Sequence, residues 1–129
     1  MGITYEIQDD VIRFATHGEV DFVDGLHVLQ CGFAEASDIS ARDPTRKWLL
    51  LFDVRESTES RTSGELRDIA TLIASHRGML RGRCAVIVSK PLYYGLGRMF
   101  AVFMESFGLT TAVLHSDEEA LQWLHAPVH

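Results

Sequence analysis

The stretch from Glu56 to Ala70, ESTESRTSGELRDIA, concentrates hydroxyl and acidic side chains at the start of a predicted helix. Thr62 and Glu65 stand three residues apart, the spacing of a capping box in which each side chain binds a free backbone N–H. The same helix start offers further N–H groups and a positive dipole end, which favour an anion or a phosphate. The sequence therefore predicts a capped helix start and, as a second hypothesis, an anion or phosphoacceptor site at Thr62 reinforced by Arg55 and Arg61.

A second stretch whose side chains could bind a ligand is SKPLYYGLGRMFAVFMESFGL, in which Arg98 follows Tyr94 by one helical turn. Arg98 either pairs with a carboxylate such as Asp53 or, together with Tyr94, clamps an anionic headgroup at the mouth of a pocket. The predicted helix Leu92–Phe107 is apolar nearly all round. Such a helix is buried in a core, covered by a partner subunit in a homodimer, or lines an apolar pocket.

Several catalytic and cofactor motifs are missing from the sequence. There is no P-loop, no G-x-S-x-G elbow and no C-x-x-C, and Phe100 stands where a dinucleotide-binding G-x-G-x-x-G needs its third glycine. Of the six histidines only His125 and His129 have helical ligand spacing, and Pro127 interrupts that pair. Glu56 and Glu59 could act as an acid and a base, but they are interpreted as solvated residues of a loop. We therefore predict no catalytic residues, no metal and no cofactor.

Composition narrows the class of protein further. The net charge of −6 argues against nucleic-acid binding, and no apolar run is long enough to span a membrane. Residues 41–98 carry eleven Lys or Arg against six acids, so they could face an anionic ligand, an acidic partner or the protein's own acidic ends. Without a signal sequence the cytoplasm is expected, with Cys31 and Cys84 as buried thiols.

The elements that must position these residues follow from the apolar periodicity. Two short β-prone runs flank the turn Gln8-Asp9-Asp10, and buried strands then alternate with helices in the order ββαβαβαβα. Residues 37–46 are predicted to be a loop, and two later helices are predicted to span 63–76 and 91–107. The pattern predicts one α/β domain over residues 1–129, with about five strands in a mixed, mostly parallel sheet and four helices.

Ligands of such sheets bind where the strands end and the helices begin. That rule selects two loops, residues 53–64 and 89–97. A binding site between them would draw on six side chains: Arg55, Arg61, Tyr94, Arg98, Met99 and Phe103.

The first loop resembles the STAS domain, the fold of bacterial anti-sigma-factor antagonists. Those proteins have an apolar strand ending in Asp and then Asp-Ser-Ser-Gly at a helix start. Here Asp53 takes the strand-end position, and Arg61-Thr62-Ser63-Gly64 takes the place of Asp-Ser-Ser-Gly. The resemblance implies that Ser63 is the phosphoacceptor, although Arg61 replaces an acid and inverts the local charge.

The second loop resembles the SpoIIAA-like branch of that superfamily, through Pro91 and the series Tyr94, Gly95, Leu96, Arg98 and Met99. The closing segment TTAVLHSDEEALQWL is also similar. The resemblance covers nearly the whole chain and implies the fold rather than an activity; the relation of that fold to lipid-binding CRAL-TRIO domains hints at a non-polar ligand. We therefore predict a non-catalytic binding or regulatory module for a small amphipathic or anionic ligand or a protein partner. The alternative is a phospho-switched regulator of the anti-sigma-factor-antagonist type with a kinase-like partner.

Overall fold

The computed structural model describes residues 2–127 and confirms the predicted order of elements. The sheet contains five strands in the spatial order in which they occur in the chain, with β1 antiparallel to β2 and the remaining pairs parallel. The strands are β1 (Gly2–Gln8), β2 (Val11–Gly18), β3 (Trp48–Ser57), β4 (Leu80–Ile87) and β5 (Thr110–Leu114). The helices are α1 (Phe22–Arg42), α2 (Ser63–Ala74), α3 (Pro91–Glu105) and α4 (Asp117–Leu124).

The two faces of the sheet are covered unequally. Helices α1, α2 and α3 pack on one face over the larger core, which includes Phe14, Leu50 and Phe100. Helix α4 packs on the other face and is its sole helical cover within the described residues; Ala120 and Leu124 meet alternate residues of the strands there. Because side chains alternate along a strand, this cover buries both faces of the β3 segment Trp48–Leu51.

Helix α1 is longer than predicted, since it continues to Arg42 through residues that the sequence assigns to a loop. Ile39 packs against the core, and the Ser40 hydroxyl accepts a hydrogen bond of 2.9 Å from the Trp48 indole N–H. These tertiary contacts hold the last turn in spite of its polar composition. The apolar spacing of Val23 with Leu26 and Leu29 predicts that it shares the buried face of α1, but Val23 is 69% exposed.

The other helix and strand boundaries shift by a few residues. Helix α2 ends at Ala74 and α3 at Glu105, each two residues earlier than predicted. Strand β4 begins at Leu80, which is buried and pairs with Trp48. The register of that pairing shifts at Gly82, whose φ of +87° suits the bulge.

The prediction of two buried thiols is half right. Cys84 is buried in the sheet, and burial raises the pKa of its thiol. Cys31 is exposed, because it lies two residues from both Leu29 and Phe33 on α1 and so points away from their buried face.

Candidate functional site

An apolar cavity of about 140 Å³ lies beneath the starts of α1, α2 and α3, at the carboxyl ends of β2 and β3. Carboxyl ends of parallel strands are the usual ligand edge of an α/β sheet. The lining comes from three helices, four strands and the loops before α1 and α2: Ile3, Thr16, Val20, Phe22, Gly25, Leu26, Phe52, Val54, Ser57, Glu59, Arg61, Leu66, Ile69, Val86, Tyr93, Leu96, Gly97 and Phe100. The cavity is therefore an apolar space with a few polar groups at one side.

Two hydroxyl groups lie at the strand ends of the cavity. Ser57 is 2% exposed, and its hydroxyl forms a short hydrogen bond with the hydroxyl of Thr16 on the neighbouring strand. The Lys90 ammonium donates to the Ser57 carbonyl at 3.0 Å and lies over the ring of Tyr93. These bonds join the ends of β2 and β3 to the start of α3.

Arg61, the basic side chain of the first predicted loop, lies on this cavity and is already engaged. It donates to the Val20 carbonyl, approaches the carboxylates of Glu59 at 3.4 Å and Glu65 at 3.5 Å, and lies over the ring of Phe22. Two carboxylates therefore share one guanidinium. An anionic ligand would have to compete with both of them.

Glu59 is a cavity residue that the sequence prediction missed. Its side chain is 18% exposed, rather than solvated as expected, and the Tyr93 hydroxyl donates to its carbonyl at 2.6 Å. One carboxylate oxygen, Oε1, faces Arg61, whereas the buried Oε2 has no hydrogen-bond partner among residues 2–127. Buried acceptors are nearly always paired, so Oε2 is a position at which a donor from a ligand would be stabilised.

Arg55 lies on the opposite face of the sheet from the cavity. Its guanidinium bonds Asp53 at 2.8 Å and Asp117 at 2.9 Å, and Arg13 bonds the same two carboxylates. Burial disfavours the Asp53 carboxylate, but hydrogen bonds from Arg55 and the two positive charges outweigh it and lower the pKa of Asp53. This four-residue cluster, which we call the ion cluster, joins α4 to the sheet.

The remaining predicted ligand residues belong to α3, and none of them lines the cavity. Arg98 donates to the Tyr94 hydroxyl at 3.1 Å, and the Tyr94 ring stacks on His115, beside a groove between α3 and β5. Met99 is exposed, and Phe103 is half-buried under the guanidinium of Arg67. The predicted pairing of Arg98 with Asp53 is wrong, because Arg13 and Arg55 occupy that carboxylate.

The structure thus distributes the six predicted residues over three places. Arg61 alone lines the apolar cavity, and Arg55 belongs to the ion cluster. The other four belong to α3: Tyr94, Arg98 and Met99 are exposed on its outer side, whereas Phe103 packs half-buried against the core. The cavity's apolar walls come instead from residues such as Leu96 and Phe100, one helical turn away on the inner side of the same helix.

The capping box at the start of α2 is confirmed in both directions. The Glu65 N–H donates to the Thr62 hydroxyl at 3.1 Å, and the Thr62 N–H donates to the Glu65 carboxylate at 2.9 Å. Ser63, the first residue of the helix, is exposed, and its hydroxyl forms no hydrogen bond with the described residues. Ser63 is therefore accessible at a helix N-terminus, whereas Thr62 is committed to the cap.

Residues 2–127 contain neither a cluster of metal ligands nor a membrane-spanning helix. In that range no three His, Cys, Asp or Glu side chains converge as metal ligands, and none of the helices has the length and apolarity to cross a membrane. His125 bonds Asp10 at 2.9 Å, which raises the pKa of the imidazole. His129, the other histidine of the pair that the sequence analysis sets aside, lies outside the described residues.

Comparison with known proteins gives one informative result. No protein-family model matches the chain, and no curated protein matches it either. A crystal structure of an uncharacterized DUF3478-family protein from Shewanella loihica PV-4, with a SpoIIAA-like fold, superposes with a TM-score of 0.60. The match covers 95% of this chain and 94% of that chain at 18% sequence identity.

The chain has a SpoIIAA-like fold. The fold predicted from the strand order and from the Tyr94–Met99 resemblance is therefore confirmed. Identity at this level shows the fold alone, and the neighbour is itself uncharacterized, so it assigns neither a ligand nor a reaction to this chain.

Proposed function

We propose that the protein is a non-catalytic binding module whose cavity takes up the apolar part of a small amphipathic molecule. The observation that carries this proposal is an apolar cavity at the ligand edge of the sheet in which the Oε2 oxygen of Glu59 has no hydrogen-bond partner from residues 2–127. A volume of about 140 Å³ is close to that of engineered apolar cavities of roughly 150 Å³, which bind benzene. The buried part of the ligand therefore has about the size of one aromatic ring.

The polar groups favour a hydrogen-bond donor on the ligand over an anion. Glu59 Oε2 can only accept while the carboxylate is ionised, and it is buried without a donor. Arg61, a cation that lines the cavity, is shared between Glu59 and Glu65. An alcohol or amine attached to an apolar ring fits this arrangement better than a carboxylate on the same ring.

Three probes of one shape test the proposal: benzyl alcohol, benzylamine and benzoate, each titrated into ¹⁵N-labelled protein. Eight heavy atoms at roughly 0.6 kcal/mol each give about 5 kcal/mol, hence dissociation constants on the order of 0.1–1 mM for the two donors. We expect amide shifts confined to the cavity lining and much weaker binding of benzoate. Equal binding of all three would contradict the role of Glu59, and no binding of any would contradict the proposal itself.

Three variants separate the cavity from the rest of the surface and test the role of Glu59. Leu96→Phe enlarges a side chain that lines the cavity, so it should abolish the shifts, whereas Leu121→Phe on the exposed side of α4 should not change them. Glu59→Gln keeps one acceptor but removes the charge. This variant should weaken the binding of benzylamine more than the binding of benzyl alcohol.

A second candidate function, the phospho-switch, is supported by the exposed hydroxyl of Ser63 at the first position of α2. A phosphate there would meet free N–H groups and the positive end of the helix, whereas a phosphate on Thr62 would break the capping box. Phosphopeptide mass spectrometry of protein from its own cells, with a Ser63→Ala chain as control, tests this hypothesis. A 62–63 peptide that stays unmodified under all growth conditions would count against it.

A further inference from the structure

Helix α3 has a second apolar face, opposite the one that packs on the sheet. Its buried face consists of Tyr93, Gly97, Phe100 and Met104. Its outer face, which we call the outer stripe, consists of Leu92, Gly95, Met99, Val102 and Ser106 and is exposed throughout. Successive members of the outer stripe are three and four residues apart, the spacing of a seam between two helices.

The outer stripe is apolar enough that its burial against another protein surface is favourable. Leu92 is 56% exposed, Met99 40% and Val102 66%, and no charged residue interrupts the stripe. A Cβ atom added to Gly95 would have no neighbour within 4 Å, so a partner backbone can approach closely there. Single exposed apolar residues are normal on a protein surface, but three on one uncharged helical stripe are typical of an interaction surface.

Two opposite charges on one flank of the stripe indicate which surface covers it. Arg98 and Glu105 are both exposed, and neither forms a salt bridge with any residue in 2–127. They are seven residues apart, so about 10 Å of helix separates them and they cannot pair with each other.

We propose that α3 pairs with α3 of a second copy of this chain, antiparallel about a two-fold axis near the middle of the helix. In that arrangement Met99 packs against Val102 of the partner subunit, and Gly95 packs against Ser106 of the partner subunit. Arg98 then lies within about 3 Å, along the axis, of Glu105 of the partner subunit, a gap that an arginine side chain spans. The two-fold axis generates this ion pair twice.

The charges also select the orientation. In a parallel, in-register pair of α3 helices, the flank that carries Arg98 and Glu105 would face the opposite flank of the partner helix, which holds no charged residue at the matching positions, so neither charge would meet an opposite charge. An isologous antiparallel contact is the arrangement in which one copy complements the other. A single pair of short helices buries less than a standard interface, so we expect a weak dimer that depends on concentration.

Sedimentation equilibrium of the full chain, from roughly 10 to 500 μM, is the first test, since a weak interface of this kind populates a dimer in that range. We expect a shift from monomer towards dimer as the concentration rises. A chain that remains monomeric at the highest concentration would overturn the proposal.

A matched pair of variants locates the contact. Val102→Glu and Val23→Glu change valines of nearly equal exposure, 66% and 69%, on two different helices. We expect Val102→Glu to weaken dimerisation by at least about tenfold, since it places a charge in the seam, and Val23→Glu to leave it unchanged. An equal loss in both variants, or in neither, would refute the assignment to α3.

Charge reversal tests the antiparallel pairing directly. Arg98→Glu and Glu105→Arg should each weaken self-association, because each variant carries like charges at both positions. An equimolar mixture of the two variants should associate again, and so should the double variant. If the mixture stays as weak as its components while circular dichroism shows both variants folded, the proposed pairing is wrong.

Discussion

The close contact between Gly32 of α1 and Phe14 of β2 gives a prediction whose sign is set by geometry. A Cβ atom at Gly32 would lie 2.8 Å from two ring atoms of Phe14 and 3.4 Å from the ring of Tyr5. The Phe14 ring is 1% exposed, with the ring centroids of Phe52 and Phe33 at 5.2 and 5.8 Å. The ring therefore has no space into which it can withdraw.

The expected size of the effect follows from two opposing contributions. Replacing a helical glycine by alanine gains about 1 kcal/mol in helix propensity. Overpacking a filled core costs about 1–3 kcal/mol, and a contact at 2.8 Å against a ring held on several sides belongs at the upper end. We expect Gly32→Ala to lower the free energy of unfolding by about 2 kcal/mol, a fall of roughly 6–12 °C in Tm.

Gly25 in the same helix is the matched control, because a Cβ atom there would make only an ordinary contact, 3.5 Å from Val20. Gly25→Ala should raise the free energy of unfolding by about 0.4–1 kcal/mol. Urea unfolding followed by circular dichroism measures both variants against the unaltered chain. If Gly32→Ala proves as stable as Gly25→Ala, the claim that this helix and strand are in limiting contact is wrong.

Two further predictions concern the ion cluster and the start of α2. Because the pKa of Asp53 lies below its ordinary value of 3.8, the stability that it contributes is fully present above about pH 4 and is lost as pH falls through the lowered pKa. Asp53→Asn should lower the free energy of unfolding by about 1–3 kcal/mol at pH 7 and flatten the dependence of that free energy on pH below pH 4, as measured by urea unfolding. Asp68→Asn, at an exposed position of α2, is the control and should have neither effect. Thr62→Ala should lower the free energy of unfolding by about 0.5–2 kcal/mol, because it removes the capping acceptor. Thr62→Ser keeps a hydroxyl and should retain most of the stability. Equal losses in the two variants on thermal unfolding would contradict the capping role.

Local patterns in the sequence were sufficient for the order of the elements and for the cap at Thr62. A capping box involves residues only three apart, and the alternation of apolar strands with amphipathic helices is a property of neighbouring residues. That order predicts a mixed, mostly parallel α/β sheet, since right-handed crossovers leave few arrangements for it. The SpoIIAA-like form of that sheet is implied by the family resemblance of the segment Tyr94–Met99.

The composition of the candidate site was decided by the tertiary structure. Arg55 and Arg61 lie six residues apart in one polar segment, but strand alternation directs Arg55 to the α4 face, while the chain beyond β3 carries Arg61 to the cavity. Glu59 is shielded from water because Arg61 and Tyr93, from two different elements, close around it.

The same distinction explains the errors at α1 and on α3. The last turn of α1 is held by Trp48, a residue whose proximity to Ser40 depends on how the helix crosses the sheet. On α3, the sequence shows apolar residues around most of the helix, and only packing against β5 and α2 determines which of them face inward. Periodicity within one element is written in the sequence, whereas contacts between elements depend on the free energy of the whole packed arrangement.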